Sequence, residues 1–218
     1  MAVLEVRRLG LVPYPDALAL QRSLVEERRA DRVPDLLLLL QHPPVITLGV
    51  RGDGGRSNVV AEASQLSALG IDISETGRGG DVTYHGPGQI VGYPILDLRP
   101  DRCDVHRYVR DLEQVMISVC ADYGVTASRV QGLTGAWVGE DKIGAIGVRV
   151  SRWITSHGFA FNVNTDLRHF DLIVPCGIAN RGVTSLQHAA GRDLRLDEVE
   201  DAFIRRFCEC FERTLRSA

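Results

Sequence analysis

The feature that most constrains the fold is a run of five leucines, Leu36 to Leu40, enclosed by prolines on both sides. Pro34 precedes the run and Pro43 and Pro44 follow it, so the run is too short for an isolated helix. An apolar run without polar alternation is typical of a strand that is buried on both faces. Because the chain has 218 residues, 44% of them hydrophobic, we expect one substantial core and a single domain over residues 1–218.

Composition argues against several classes of function. The formal net charge is −3, so no general positive field attracts nucleic acid, and an acidic partner would need a local arginine patch. The first residues lack the pattern of a signal peptide, and no apolar run approaches the about 20 residues of a membrane-spanning helix. The five cysteines form no CxxC pair and no Cys/His spacing typical of a metal site. We therefore expect a cytoplasmic protein with free thiols and no metal.

Hydrophobic periodicity predicts the other strands and helices. The predicted strands are Val3 to Val12, Ile90 to Leu98, a hairpin around residues 137–150, and Ile154 to Val163. The predicted helices begin at Pro15 or Asp16, run from Asp104 through Cys120, and run from about Leu196 to Leu215. Two finer expectations are that Val45 to Leu48 continues the leucine strand past its prolines, and that Asp197 caps the last helix.

The chain contains one lysine, Lys142, among 25 basic residues. An ammonium group can release a proton, which a guanidinium in practice does not, so this lysine marks a possible proton donor and acceptor. Chance survival of one lysine in an arginine-rich sequence is the alternative. Lys142 begins the second strand of the predicted hairpin, and a period of two puts it on one apolar face. That face also holds Gly144, Ile146, Val148 and Val150.

Cys176 is the second candidate for chemistry, because Pro175 and Gly177 place it in a turn, where reactive side chains are often displayed. Most free cysteines are small buried hydrophobic residues, which is the alternative. A thiol needs a partner to become a useful nucleophile. Lys142 could stabilise the thiolate as an ammonium or remove the thiol proton as a base, and His85 and His157 are the competing bases.

Two segments of small residues predict a groove. The loop 78–89 is rich in glycine and proline, which lets a backbone approach a ligand closely. The alternative is a structural glycine turn in which His85 bonds to the backbone. In the predicted strand Ile154 to Val163, Gly158 and Ala160 alternate with bulky residues, which suits either a long apolar ligand or a closely packed neighbour. The GxGxxG and GxxxxGKS patterns of nucleotide sites are absent from the loop.

Four segments together resemble the lipoyl(octanoyl) transferases of lipoate biosynthesis. They are RGGDVTYHGPGQ at 78–89, KIGAIG at 142–147, HGFAFNVNTDL at 157–167 and IVPCGI at 173–178. The resemblance implies an α/β fold like that of biotin and lipoate protein ligases, with a larger mixed sheet, a smaller sheet and flanking helices around one groove. It also implies transfer of an octanoyl group from acyl carrier protein, through a cysteine thioester, to a lysine of a lipoyl domain.

The resemblance implies a role for each matching residue. Cys176 would hold the acyl thioester and Lys142 would be the acid and base. The acyl site would be formed by Arg78, Gly79, Gly80, Asp81, Val82, Thr83, Tyr84, His85, Ala145, Ile146, Gly147, Gly158, Phe159 and Ala160. Thioester exchange is nearly neutral and amide formation is downhill, so no cofactor is expected.

The implied acceptors are lipoyl domains of 2-oxoacid dehydrogenase complexes or the glycine cleavage H protein. Since carrier proteins tend to be acidic, exposed arginines are candidates for docking: Arg51, Arg56, Arg149 and Arg152. Two other functions stay open at this point. One is an ATP-dependent lipoate or biotin protein ligase, which would leave the Pro-Cys-Gly turn without a role, and the other is a non-catalytic protein that binds carriers or acyl groups.

Overall fold

A computed structural model describes residues 2–51, 53, 56–99, 102–174 and 181–216. This part of the chain forms five α-helices and two β-sheets, which confirms the α/β expectation. The helices are α1 (Tyr14–Arg29), α2 (Ala63–Ala68), α3 (Val105–Asp122), α4 (Leu186–Ala190) and α5 (Leu196–Phe211). The strands are β1 (Ala2–Leu11), β2 (Asp35–Gln41), β3 (Val45–Leu48), β4 (Asp72–Glu75), β5 (Thr83–His85), β6 (Gln89–Ile95), β7 (Ser128–Val130), β8 (Leu133–Val138), β9 (Asp141–Ser151), β10 (Ile154–Asn162) and β11 (Arg213–Leu215).

The larger sheet is mixed, with the order β11-β1-β2-β6-β10-β9-β8-β7 in the described residues. The leucine run is strand β2, and the prediction of burial on both faces is confirmed because each of its five leucines is 0% exposed. Leu37 and Leu39 face a core that includes α3 and α5, whereas the alternate leucines, such as Leu38, face a core that includes α1. Helices therefore cover both faces of this part of the sheet.

The helix-facing core explains where α3 and α5 lie. The predicted cap of α3 is confirmed, since the Asp104 side chain accepts a hydrogen bond from the Arg107 backbone nitrogen at 3.0 Å. In α5, the predicted stripe of Val199, Phe203, Phe207 and Phe211 is fully buried. None of the helices in the described part of the chain combines the length and apolar character needed to cross a membrane.

The predicted end and cap of the last helix are wrong. Arg195, not Asp197, occupies the capping position, and Asp197 instead lies in the first turn and pairs with Arg195. The helix ends at Phe211, so Leu215 belongs to the short strand β11. The chain changes course there because Arg213 donates to the buried carboxylate of Asp35 at 2.9 Å and extends the sheet beside β1.

The expected continuation of the leucine strand is also wrong. Val45 to Leu48 forms β3 of a separate sheet, in the order β4-β3-β5, and it pairs with neither β1 nor β6. Proline has no backbone N–H donor, so Pro43 and Pro44 interrupt the hydrogen-bond ladder of the larger sheet. The smaller sheet lies over β9 and β10, and the space between the two sheets holds the candidate site.

Candidate active site

A cavity lies between the smaller sheet and strands β6, β9 and β10. It encloses about 480 Å³, including space open to solvent. The cavity is lined by Tyr14, Arg78, Gly80, Asp81, Val82, Thr83, His85, Val91, Tyr93, Ala145, Ile146, Gly147, His157, Gly158, Phe159 and Ala160. Three segments distant in sequence thus meet at one apolar space, as the motifs predict.

Two predicted acyl-site residues do not line this cavity. Gly79 packs on β9, where its backbone nitrogen donates to the Val148 carbonyl oxygen at 2.9 Å. Tyr84 belongs to the core of the smaller sheet, and its hydroxyl group contacts His169 Nδ1 at 2.8 Å. Both residues hold the loop and the small sheet that form one wall.

Sequence reasoning missed three of the lining residues, Tyr14, Val91 and Tyr93. Tyr14 begins α1, and Val91 and Tyr93 lie on β6. The sequence around Val91 and Tyr93 is that of ordinary core positions in a strand. The packing of α1 against β6 and β10 brings Tyr14 to the cavity. No local pattern near these three residues signals a ligand.

The loop 78–81 is held by backbone pairing. Three consecutive backbone nitrogens, of Gly49, Val50 and Arg51, donate to carbonyl oxygens of the loop at 3.1–3.2 Å. A Cβ on Gly49 would lie 2.2 Å from the Gly80 carbonyl oxygen, so this approach requires glycine. The Arg78 guanidinium donates to the Thr47 carbonyl and hydroxyl oxygens at 2.7 and 2.9 Å. The loop is therefore both a structural turn and a wall of the cavity.

Buried histidines lie beside the cavity. His42 Nδ1 donates to the Val12 carbonyl oxygen at 2.7 Å, and Nε2 accepts from the Tyr93 hydroxyl at 2.8 Å. Burial lowers the pKa of His42 to about 4. Burial, and next the neighbouring His42, hold the pKa of His85 well below its usual value. His85 Nδ1 donates to Gln89 Oε1 at 2.7 Å, so the ring is a neutral member of a polar network.

His157 has a left-handed backbone with φ of 55° in the middle of β10. Its backbone nitrogen donates to Gln21 Oε1 of α1 at 2.7 Å. Burial, reinforced by the positive charges of Arg78 and Arg149, lowers the pKa of His157 to about 4. A neutral imidazole with such a pKa is a weak base at pH 7.

Lys142 lies in a second, smaller space that adjoins the cavity. The two spaces share Thr83, Ala145 and Ala160 as lining residues. Lys142 is 8% exposed, and its Nζ lies 4.7 Å from the centroid of the Trp137 ring. Its backbone nitrogen donates to the Gly182 carbonyl oxygen at 3.0 Å. Lys142 is therefore buried in a space that adjoins the apolar cavity.

The face predicted for Lys142 is wrong. Lys142 pairs with Trp137 and its Nζ lies over that ring, whereas Gly144 pairs with Ala136, which belongs to the helix-facing core. A Cβ on Gly144 would lie 2.4 Å from Met116 Sδ of α3, so Gly144 makes room for the helix rather than for an acyl chain. The pairing of β8 with β9 shifts register between Ala136 and Trp137. This bulge breaks the alternation and turns Lys142 to the opposite face.

Cys176 lies outside the described residues, within 175–180. The described flanks of this segment are both hydrogen-bonded. The Val174 backbone nitrogen donates to the Asn58 carbonyl oxygen at 2.7 Å, and Gly182 accepts from Lys142. The described flank that follows the segment therefore lies beside the strand position of Lys142.

The four candidate docking arginines are exposed. Arg56 pairs with Glu75 at 2.6 Å, and Arg149 lies beside Gly77 at the border of a further cavity. In the described part of the chain, no group of three or more His, Cys, Asp and Glu side chains is arranged to hold a metal ion.

Comparison with solved structures defines the class. A putative lipoate protein ligase from T. acidophilum with bound lipoic acid superposes with a TM-score of 0.74 at 17% identity, covering 100% of this chain and 88% of that chain. A biotin protein ligase from Aquifex aeolicus with biotin and ATP gives 0.58 at 14% identity, covering 95% and 70%. At these identities the likeness concerns the fold alone. The chain therefore has an α/β fold like that of the lipoate and biotin protein ligases.

Sequence comparison defines the family. Residues 13–208 match the model of the lipoyl protein ligase A/B catalytic domain. Two relatives named octanoyltransferase come from Myxococcus xanthus, 52% identical over 218 residues, and Solibacter usitatus, 53% identical over 207 residues. The matches cover 97% and 95% of this chain, and 60% and 92% of the respective relatives. The chain belongs to the lipoyl protein ligase A/B catalytic domain family, and it is an enzyme of the acyltransferase class.

Proposed function

We propose that this protein transfers an octanoyl group from octanoyl-acyl carrier protein to a lysine of a lipoyl domain, and that residues 1–218 form the single catalytic domain. The observation that carries the proposal is that Lys142 is buried in a space that adjoins an apolar cavity. The cavity walls suit an alkyl chain, because each buried CH2 group contributes about 0.8 kcal/mol. The relatives named octanoyltransferase, at about half identity, support the same acyl group.

In the proposed reaction, the Cys176 thiolate attacks the carbonyl carbon of the donor thioester. The C–S bond to the carrier breaks, and the carrier thiolate takes up a proton. The acceptor lysine amine then attacks the new thioester, an amide bond forms, and the Cys176 thiolate leaves. Lys142 takes the thiol proton, passes it to the departing carrier thiolate, and then, as a neutral amine, accepts the proton of the acceptor amine in the second half. Both steps balance without a nucleotide, because the donor already carries an activated acyl group.

The position of Lys142 supports this role. Its ammonium lies over the Trp137 ring, a favourable cation–π arrangement, and Arg181 lies over the same ring at 5.3 Å. The flank after Cys176 is bonded to the backbone of Lys142 itself through Gly182 and Thr184. This pairing holds the described flank that follows the cysteine segment beside the backbone of Lys142, which supports the proposed role.

The test is intact-mass spectrometry of the protein after incubation with octanoyl-acyl carrier protein. The wild type and the matched control Cys103→Ser, which removes an exposed cysteine, should gain one octanoyl mass. Cys176→Ala should gain none. Acylation of Cys176→Ala at the wild-type level would overturn the cysteine intermediate.

Lys142→Arg keeps the positive charge but not the proton transfer, so transfer to a lipoyl domain should fall by about 10²–10⁴-fold. Wild-type turnover in this variant would contradict the proton-shuttle role. ATP/pyrophosphate exchange is measured in parallel, and lipoate-dependent exchange would favour a ligase instead. A Cys176 that does not react with iodoacetamide at neutral pH would favour a non-catalytic binding protein.

A further inference from the structure

We call the cavity between the smaller sheet and strands β6, β9 and β10 the acyl cavity. His157 lies between this acyl cavity and a third space. This rear cavity encloses about 760 Å³, including space open to solvent. Among the described residues, His157 lines both the acyl cavity and the rear cavity. The rear cavity is otherwise bordered by polar and charged side chains of α1 and β9, including Gln21, Arg22, Arg29 and Arg149. The imidazole is therefore a partition between an apolar space and a polar one.

The three spaces follow one another along β10. Asn162 borders the space that holds Lys142, Ala160 borders both that space and the acyl cavity, and His157 borders the acyl cavity and the rear cavity. Three residues of a strand span about 10 Å. Seven C–C bonds of an extended alkyl chain span about 9 Å, given a bond of about 1.5 Å and an angle of about 111°. The stretch from Ala160 to His157 matches an eight-carbon chain.

The backbone of His157 turns its ring into this position. Regular alternation would put His157 on the same face as Phe159, which stacks on Phe203 of α5 at 5.1 Å between ring centroids. The left-handed φ of 55° breaks the alternation, and the His157 ring instead lies 6.4 Å from the Tyr93 ring on the cavity side. A left-handed conformation is costly for a residue with a Cβ, and such residues cluster at functional sites.

His157 is held in place by a hydrogen bond of its backbone and by burial. Gln21 of α1 accepts a hydrogen bond from the His157 backbone nitrogen at 2.7 Å, and Gln21 and His157 are 1% and 4% exposed. The Nδ1 atom of His157 is buried without a hydrogen-bond partner. A buried polar atom without a hydrogen-bond partner lowers the stability of the fold. We interpret this cost as that of closing a cavity with a histidine.

We propose that His157 is the end wall that limits acyl chain length. The inference rests on the proposed octanoyl transfer and names a specificity-determining residue for it. Removing the imidazole joins the acyl cavity to the rear cavity, so chains longer than eight carbons fit beyond position 157.

The test uses two variants that keep the backbone. Glycine adopts a left-handed φ without strain, so His157→Gly removes the wall while its backbone nitrogen still donates to Gln21. Asparagine tolerates the same φ and leaves a smaller wall in His157→Asn. Ser156→Ala is the matched control, because Ser156 borders only the rear cavity among the described spaces. The readout is kcat/KM for octanoyl, decanoyl and dodecanoyl carrier protein.

We expect the dodecanoyl to octanoyl ratio of kcat/KM to rise by at least about tenfold in His157→Gly, less in His157→Asn, and not in Ser156→Ala. An unchanged ratio in both His157 variants, with octanoyl transfer retained, would overturn the proposal. Calorimetric binding of free octanoate and dodecanoate to the same proteins tests the end wall at His157 separately from the proposed octanoyl transfer. A binding preference that shifts to dodecanoate supports the wall even where wild-type transfer fails, and an unchanged preference removes it.

Discussion

Lowering the pH from 7.5 to 4.5 should destabilise the protein through its buried histidines. The lowered pKa of His85 acts in the same direction as the others, and a lower bound on the loss comes from His42 and His157. Burial lowers the pKa of each to about 4, from about 6.5 in an exposed imidazole. Between these values the unfolded chain binds protons that the folded chain does not, so stability rises with pH and falls on acidification. From pH 7.5 to 4.5, each histidine removes about 2.5 kcal/mol from the free energy of unfolding. Together they remove about 5 kcal/mol, comparable to the whole stability of many domains.

The assay is urea unfolding followed by circular dichroism at pH 7.5, 6.0, 5.0 and 4.5. The series ends at 4.5 because the carboxylates with lowered pKa values, such as Asp97 and Asp122, lose their contribution mainly below that pH. His42→Gln removes one titrating ring and loses the contacts with Val12 and Tyr93, so it is less stable at pH 7.5. Its loss on acidification should nevertheless be smaller than that of the wild type by about 2.5 kcal/mol.

His106→Gln is the matched control, since His106 is exposed on α3. It should keep the wild-type dependence on pH. A wild-type protein equally stable at pH 7.5 and 4.5 would refute the reasoning. So would a His42→Gln protein whose acid sensitivity equals that of the wild type.

Two further predictions concern the small residues of β10. Ala160→Val adds two methyl groups where the acyl cavity meets the space around Lys142, so KM for the octanoyl donor should rise about tenfold or more, measured by steady-state kinetics, with the fold retained. Gly158→Ala places a Cβ 2.1 Å from the Gly92 carbonyl oxygen, so it should lower the free energy of unfolding by about 1–3 kcal/mol, measured by urea unfolding, because β6 packs there. An unchanged KM in the first variant, or unchanged stability in the second, would contradict these assignments.

Elements whose signal is local could be predicted from the sequence. The prolines around the leucine run, the capping aspartate of α3 and the phenylalanine stripe of α5 each lie within a few residues of the element that they define. The motifs also contain most of the residues that line the cavity, because each carries its small residues on one strand or loop. For glycine in β10 the structure confirms the closely packed neighbour, while the long apolar ligand stays a prediction. Gly158 lines the cavity and also admits β6 against its backbone.

Features that depend on contacts between distant segments could not be predicted. Tyr14 reaches the cavity only because α1 packs on β10, and Val45 to Leu48 forms its own sheet only because β4 and β5 lie beside it. Asp197 has the residue type of a cap, but its carboxylate pairs with Arg195 instead. The left-handed His157 depends on an acceptor in α1, 136 positions away in the chain.

The position of Lys142 depends on a neighbouring strand, and this dependence can be tested at Gly135. Gly135 has φ of +123°, and a Cβ there would lie 2.4 Å from the Gly144 carbonyl oxygen and 3.6 Å from Lys142 Cε. In Gly135→Ala the added methyl group therefore collides with the β9 backbone at the bulge that orients Lys142. We expect a loss of about 1–3 kcal/mol in the free energy of unfolding from the backbone strain, and a loss of octanoyl transfer beyond what the unfolded fraction explains.

Gly132 supplies the matched control for this bulge. It has φ of +79°, but a Cβ there would meet nothing within 4 Å. Gly132→Ala therefore carries the backbone strain without the contact, and should lose similar stability while keeping octanoyl transfer. If both variants lost transfer equally, strain in the hairpin would explain the effect and the bulge would have no separate role. If Gly135→Ala kept full transfer, the orientation of Lys142 would not depend on the close approach of β8 to β9.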